Sequence, residues 1–476
     1  MAGFQLEIRT VPLIIVGVYI LAMLAFGFIV GKYFIKDSKD YMLAGRRMGL
    51  LTLGISLSAV NVGGGSTMGV ATRAFGDWGL SAIWWVLAAS IAMIPISYFA
   101  PEIRRTFSYT IPMVINKRFG YVAGTSSAVL GVVSLFLLTS SQIVASATVI
   151  TALIGTPWVI SVFVSTFVIL FYTCLGGMTA DIYSDMFQFS VLFLGMLVAV
   201  PFILNGVGGW DAMVAALPDS QMDFTRIGWF MIISLIINYF TTFLAGPEMM
   251  SRVFSAKDER NARKACVVSA IVMCGMGVLP TIIGLAALAA GAPDAGGALI
   301  WATDTFAPQV VVGFMAAAIL AATMSSADSN LINASTIFIK DIYQRFINKA
   351  QMTEKKLVFT TRCSNVVLGL MAMCIALFRV DIITMNMFAF AMRSAGPFAA
   401  FVLGISWKKA TPHSGLAAIL VGSAAAVIWQ LLGQPLGIMA VVFGAVCSTL
   451  TFVGVTLIES KMGVAPAPSP EITEES

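Results

Sequence analysis

Apolar runs of about 18 to 28 residues, separated by clusters of Gly, Pro and charge, recur along almost the whole of this chain. A helix needs roughly 20 apolar residues to cross a bilayer, and in lipid only helices or closed barrels satisfy their own backbone. The runs therefore imply an all-α polytopic membrane protein of about 13 transmembrane helices. The expected spans lie near 11–32, 50–74, 78–101, 122–153, 157–175, 183–205, 226–246, 265–291, 307–339, 358–378, 382–406, 412–432 and 436–458. Composition agrees, with 11% charged residues against roughly 25% in a soluble domain. The first run lacks a signal-peptide cleavage pattern and reads as a retained span.

Charge sorts by loop. The loops after the first, third, seventh, ninth and eleventh spans, with Lys461, hold 23 of the 28 lysines and arginines, while the opposite loops carry mainly aspartates. The positive-inside rule then places the N-terminus outside and the C-terminus in the cytoplasm, in a plasma (inner) membrane. A net charge of +5 so distributed makes nucleic acid an unexpected partner. Six cysteines without a CxxC pair, and His413 as the one histidine, suggest neither a disulfide framework nor a zinc site. The Pro-rich acidic tail from Val464 is expected to be disordered.

Three stretches break the apolar rule. Residues 56–69, SLSAVNVGGGSTMG, put Gly63, Gly64 and Gly65 in mid-span, where each glycine costs about 1 kcal/mol of helix propensity. Two readings stay open: a helix that opens to free carbonyls for a cation, or close packing through small residues. In the ninth span, AATMSSADSN places Asp328 and three serines at membrane depth. At about 100° per residue from Ala322, Ser325 falls near 300°, Ser326 near 40°, Ser329 near 340° and Asp328 near 240°. The first four form one stripe of oxygen donors suited to a hard cation. The alternative is a packing face with Asp328 neutralised by Arg393.

The third stretch, GGMTADIYSDMFQ, holds Asp181 and Asp185 on one helical face. Asp181 is expected in a solvated helix start and Asp185 deeper, on an ion path. In NYFTTFLAGPEMMSR, Gly246 and Pro247 should end or break the seventh span. Glu248 and Arg252 follow at i, i+4 spacing; Arg252 is expected at the surface, and Glu248 is open. Arg393 is a rare mid-membrane cation that either holds a solute carboxylate or balances Asp328 or Asp185. Trp84, Trp85, Tyr239, Phe243, Phe388 and Phe390 could wall a solute pocket.

These pieces, with KDYMLAGRRMG, SRVFSAKDERNARKA and LGISWKKAT in their order, resemble the solute:sodium symporter family over about residues 35–410. The resemblance implies a LeuT-type fold of two inverted five-helix repeats with broken first helices. On this chain, residues 1–45 hold the first span and its flanks, 46–206 the first repeat, 207–410 the second, 411–460 two peripheral spans and 461–476 the tail. It also implies a sodium site of Ala59, Val62 and Ala322 carbonyls with Ser325 and Ser326 hydroxyls. A further candidate sodium set is Asp185, Ser326, Asp328 and Ser329. Candidate solute contacts are Asn61, Gly63, Gly64, Gly65, Ser66, Trp85, Gln142, Phe243, Glu248, Phe388 and Arg393.

The expected function is sodium-coupled symport of a small polar solute by alternating access, with Na+ as the transported coupling ion and no enzymatic activity. Arg393 favours an amino acid or organic acid carboxylate, which is preferred; the Gly triplet and SSADS resemble the choline-transporting branch and favour a quaternary amine. A more distant alternative is a membrane enzyme on a lipid diphosphate, with Mg2+ on Asp181 and Asp185. That chemistry needs a second acidic cluster facing the first, and the one other DxxxD, Asp219 and Asp223, falls in a loop on the opposite side of the membrane.

Overall fold

The structure, a computed structural model, describes residues 10–347 and 352–468. Every regular element among them is helical. In chain order the main ones are α1 (Thr10–Tyr33), α2 (Leu50–Asn61), α3 (Val70–Phe75), α4 (Trp84–Arg105), α5 (Tyr121–Ile154) and α6 (Trp158–Gly206). There follow α7 (Trp229–Leu244), α8 (Pro247–Ser255), α9 (Glu259–Cys274), α10 (Gln309–Ile337), α11 (Ile382–Ser394), α12 (Pro397–Ser406), α13 (Pro412–Leu431) and α14 (Ala440–Lys461). Among the described residues nine helices are long and apolar enough to cross a membrane, or up to eleven with each bent pair taken as one span. The sequence count of thirteen divides the chain differently. Its fifth and sixth spans lie in the 49-residue α6, which leaves helical geometry at Gly177 (φ 53, ψ −164), and its second span is interrupted between α2 and α3.

Each interruption has a local cause. α2 stops at Val62 (φ −92, ψ 63), and Gly65–Gly69 makes a wider π-type turn before α3. The freed backbone is satisfied locally: Gly64 N donates to Gln142 Oε1 at 2.8 Å, and Ser66 Oγ donates to the Asn61 carbonyl at 2.8 Å. Glycine is needed here for space as well. A Cβ on Gly63 would press on Ser326 Oγ and lie 2.8 Å from Gln142 Oε1. The two readings of the triplet, opening and close packing, thus hold together. α7 and α8 meet at 55° around Gly246, with Pro247 as the first helical residue of α8. α11 and α12 meet at 46°, where Pro397 starts the second piece.

α10 is the central post. Its run of Ala and Ser gives a thin surface that lets α5, α6 and α1 approach closely, and its residues from Met315 to Ile337 are all buried. α1, α13 and α14 lie outside, with large apolar side chains such as Leu21 and Leu450 exposed, as suits a face turned to lipid. At one end of the bundle Met48 N donates to the Ser255 carbonyl at 3.2 Å and Lys257 N to the Met48 carbonyl at 3.0 Å, tying the start of α2 to the end of α8. The tail corrects one expectation. Its first residues are docked: Ala467 N donates to the Ala410 carbonyl at 2.8 Å, and Arg118 Nη1 to the Pro468 carbonyl at 2.8 Å. Residues 469–476 of the tail lie outside the described residues.

Candidate functional site

The breaks after α2, between α7 and α8, and between α11 and α12 border one cavity of about 40 Å3, room for about three water molecules at roughly 10–15 Å3 each. One wall is the opened stretch of α2, with Asn61, Gly63, Gly65 and Ser66. Opposite lie Glu248, the second residue of α8, and Arg393, near the end of α11. These two form a buried ion pair through Arg393 Nη1 and Glu248 Oε2. Arg393 Cζ also lies 5.0 Å from the Phe390 ring centroid. Its Nε has no hydrogen-bond partner.

An aromatic wall closes the side between them. Tyr239 meets Trp85 edge-on at 5.6 Å between centroids, Phe243 at 5.2 Å and Phe390 at 6.4 Å. Gln142 reaches in from α5, and its neighbour Ser141 donates to Asn386 Oδ1 at 2.6 Å. Apolar rings with a few convergent polar groups are the usual make-up of a small-molecule site.

Of the serine stripe of α10, Ser326 faces the same break, while Ser325 and Ser329 turn to the acids of α6. Ser326 Oγ donates to the Val60 carbonyl at 3.0 Å and also lines the cavity. Ser325 Oγ donates to Asp185 Oδ1 at 2.5 Å. Ala59, Val62 and Ala322 are all buried on α2, at its end, and on α10, elements that pack against each other. The expected sodium donors therefore lie on two elements that pack against each other.

The deeper acids correct two expectations. Arg252 is not at the surface and Asp181 is not solvated: Arg252, Asp181 and Asp185 are each 0% exposed. Arg252 Nη2 binds Asp181 Oδ2 at 2.6 Å, Asp185 Oδ2 at 3.2 Å and Ser329 Oγ at 2.6 Å. Its Nε donates to Ser56 Oγ at 3.1 Å and its Nη1 to the Glu248 carbonyl at 3.1 Å. The i, i+4 spacing of Glu248 and Arg252 placed the two on one helical face without revealing that α6 and α10 cover it.

Asp328 does not pair with Arg393 either. It accepts from Thr173 Oγ1, and its Oδ2 has no partner. The further candidate set is thus not joined in one hydrogen-bonded group: Asp185 is held by Ser56, Ser325 and Arg252, Ser329 by Asp181 and Arg252, Ser326 by Val60 and Asp328 by Thr173.

Most of the expected solute contacts line the cavity: Asn61, Gly63, Gly65, Ser66, Trp85, Gln142, Phe243, Glu248 and Arg393. Gly64 stands just behind, bonded to Gln142. Phe388 points away and is 38% exposed. Asn386 and Asn330 line the cavity although no expectation included them. Helical spacing held the signal, since 386, 390 and 393 recur at i, i+4 and i+7 on one face while 388 falls about 200° from 386; Asn330 is likewise one turn beyond Ser326.

A helical bundle whose broken spans bring backbone, hydroxyls and a buried ion pair to one midpoint cavity is the architecture of a secondary transporter. Residues 41–422 match the Sodium:solute symporter family, and the chain belongs to it. The osmoregulated proline transporter OpuE of Bacillus subtilis is 27% identical over 94% of this chain and 95% of its own length. A sodium/proline symporter of Staphylococcus aureus (strain JH9) is 27% identical over 97% of this chain and 94% of its own.

The structure of a Na+-coupled sialic acid symporter in a substrate-bound outward-open state superposes with a TM-score of 0.84 at 19% identity, over 97% of this chain and all of the other. Mhp1, a nucleobase-cation-symport-1 family transporter in a closed conformation, gives 0.58 at 13% identity, over 91% and 96% of the two chains. The chain is a multi-pass membrane protein with a LeuT-type fold that couples Na+ to a small organic solute; it is a transporter and not an enzyme.

Proposed function

We propose that this symporter carries a small amino acid, of the size of proline or alanine, in the cavity between α2, α8 and α11. Sodium is held beside it by the Ala59, Val62 and Ala322 carbonyls and the Ser325 and Ser326 hydroxyls. One observation carries this reading: Ser326 bonds to the opened stretch of α2 at Val60 and lines the solute cavity as well. A sodium ion that orders Ser326 and the break also orders the cavity wall, so each ligand improves the site of the other by the same factor. The proline named in two of the relatives supports the amino-acid class, as does a cavity that presents both a guanidinium and a carboxylate.

In this reading spans 2–6 and 7–11 form the two inverted repeats within 46–206 and 207–410, thirteen spans cross the membrane, and the C-terminus is cytoplasmic, in line with the basic loops. Asp185 and Ser329 are taken by Arg252, so the reading assigns one sodium site.

The test is uptake of labelled proline and alanine into proteoliposomes under an inward sodium gradient. A cycle moving one net charge gains about 2.3 kcal/mol per 100 mV, enough for roughly fifty-fold accumulation. Uptake that persists when K+ replaces Na+, or no uptake of either amino acid, contradicts the proposal.

A further inference from the structure

This inference rests on the amino-acid reading above and concerns how the cavity tells an amino acid from a cation or an anion of the same shape. Glu248 sits just after the bend between α7 and α8, and Arg393 just before the bend between α11 and α12. Their pairing bridges the two bends, and it is thin. A guanidinium carries five N–H donors in a fork matched to both oxygens of a carboxylate. Here Nη1 holds one oxygen of Glu248 while Nε, buried in the cavity wall, has no partner. A buried charged group with an unused donor calls for an explanation, and beside an aromatic cavity a ligand carboxylate supplies one.

We infer that Arg393 and Glu248 form an exchange clamp for a zwitterion: the solute carboxylate takes the fork of Arg393, the solute ammonium takes Glu248, and the apolar side chain lies against Tyr239 and Phe243. The balance of charge does the selecting. A zwitterion brings one charge of each sign, so both protein charges stay paired when they part. A choline-like cation satisfies Glu248 and strands Arg393; a simple organic anion does the reverse. In a membrane interior either stranded charge is heavily penalised. The choline-like alternative raised by the Gly triplet is therefore disfavoured by the residues opposite it. Exchange also unties the two bends from each other, so that solute arrival acts directly on the hinges of the second broken span and of α11–α12.

The experiment compares matched probes on the purified wild-type protein in NaCl, by thermal stabilisation and by competition with uptake: proline against pyrrolidine and cyclopentanecarboxylate, and alanine against ethylamine and propionate. Proline or alanine should stabilise the protein with sodium, and each single-charge analogue should bind about a hundredfold or more weakly, as for sites that lose a required buried partner.

In E248Q the amino acid should lose at least about tenfold while the carboxylate analogue gains on it; in R393Q the amine should gain instead. Analogues that bind wild type as tightly as their parent amino acid overturn the clamp and leave the amino-acid reading standing. Sodium-dependent stabilisation by neither proline nor alanine removes that reading and the clamp with it. The wild-type comparison decides the matter even where a variant fails to fold.

Discussion

Two buried arginines both contact Glu248, Arg252 at its carbonyl and Arg393 at its carboxylate, and they are satisfied in opposite ways. Arg252 is wholly enclosed and spends its donors on two carboxylates, two serines and the Glu248 carbonyl. Arg393 has one carboxylate partner, an idle Nε and a cavity beside it. Burying a guanidinium in a membrane protein is costly in both places. Full internal satisfaction makes Arg252 a structural tie between α8, α6 and α10, whereas incomplete satisfaction at a cavity leaves Arg393 able to take a ligand. The two are also linked, because Arg252 grips the backbone of Glu248 while holding Asp185, which accepts from Ser325 of the serine stripe.

The sharpest way to break this comparison is Arg252→Gln. It leaves two carboxylates buried without their cation, which should cost about 3–5 kcal/mol and lower the thermal midpoint and yield of folded protein in detergent. Adding Asp181→Asn should recover part of the loss. A midpoint unchanged by Arg252→Gln would show that the cluster holds nothing together.

Next comes Gly63→Ala, whose methyl would press on Ser326 and Gln142. Overpacking of this kind costs about 1–3 kcal/mol, and uptake should be lost with the protein still folded. Retained uptake would mean that the break tolerates a side chain and that its contact with α10 is loose.

Ser326→Ala removes a smaller contribution, a hydroxyl that would bind a cation. About 1.5 kcal/mol is expected, or roughly a tenfold rise in the sodium concentration for half-maximal uptake. If the sodium dependence of uptake is unaltered, Ser326 belongs to packing and the sodium assignment fails. Phe388→Ala should change least, within about 0.5 kcal/mol, with solute affinity unaltered, because the ring faces outward. A clear loss of solute affinity would place it back in the site.

Helix breaks and the serine stripe are legible in the sequence, whereas the partners of the buried charges are not. Spacing along α10 put Ser325, Ser326 and Ser329 on one stripe, and the structure places that stripe against α2 and α6. The Gly triplet, the Gly246–Pro247 pair and mid-membrane Arg393 marked the breaks and the cavity because each violates what a lipid-spanning helix prefers. The spacing of Arg252 to Glu248 describes a surface ion pair equally well, and only the packing of α6 and α10 over it buries the charge. Opposite charge alone suggests Arg393 as the partner of Asp328, while the fold gives it Thr173 from α6. Phe388 is near the bend in sequence, but the helical phase shared by Asn386, Phe390 and Arg393 excludes it from the cavity face.

If sodium and solute share the opened stretch of α2 through Ser326, their binding must be reciprocal. Calorimetry on the wild-type protein would give the affinity for proline at low and saturating sodium, and the affinity for sodium with and without saturating proline. Both affinities should improve, and by the same factor. Affinities that do not depend on the other ligand would contradict that sharing.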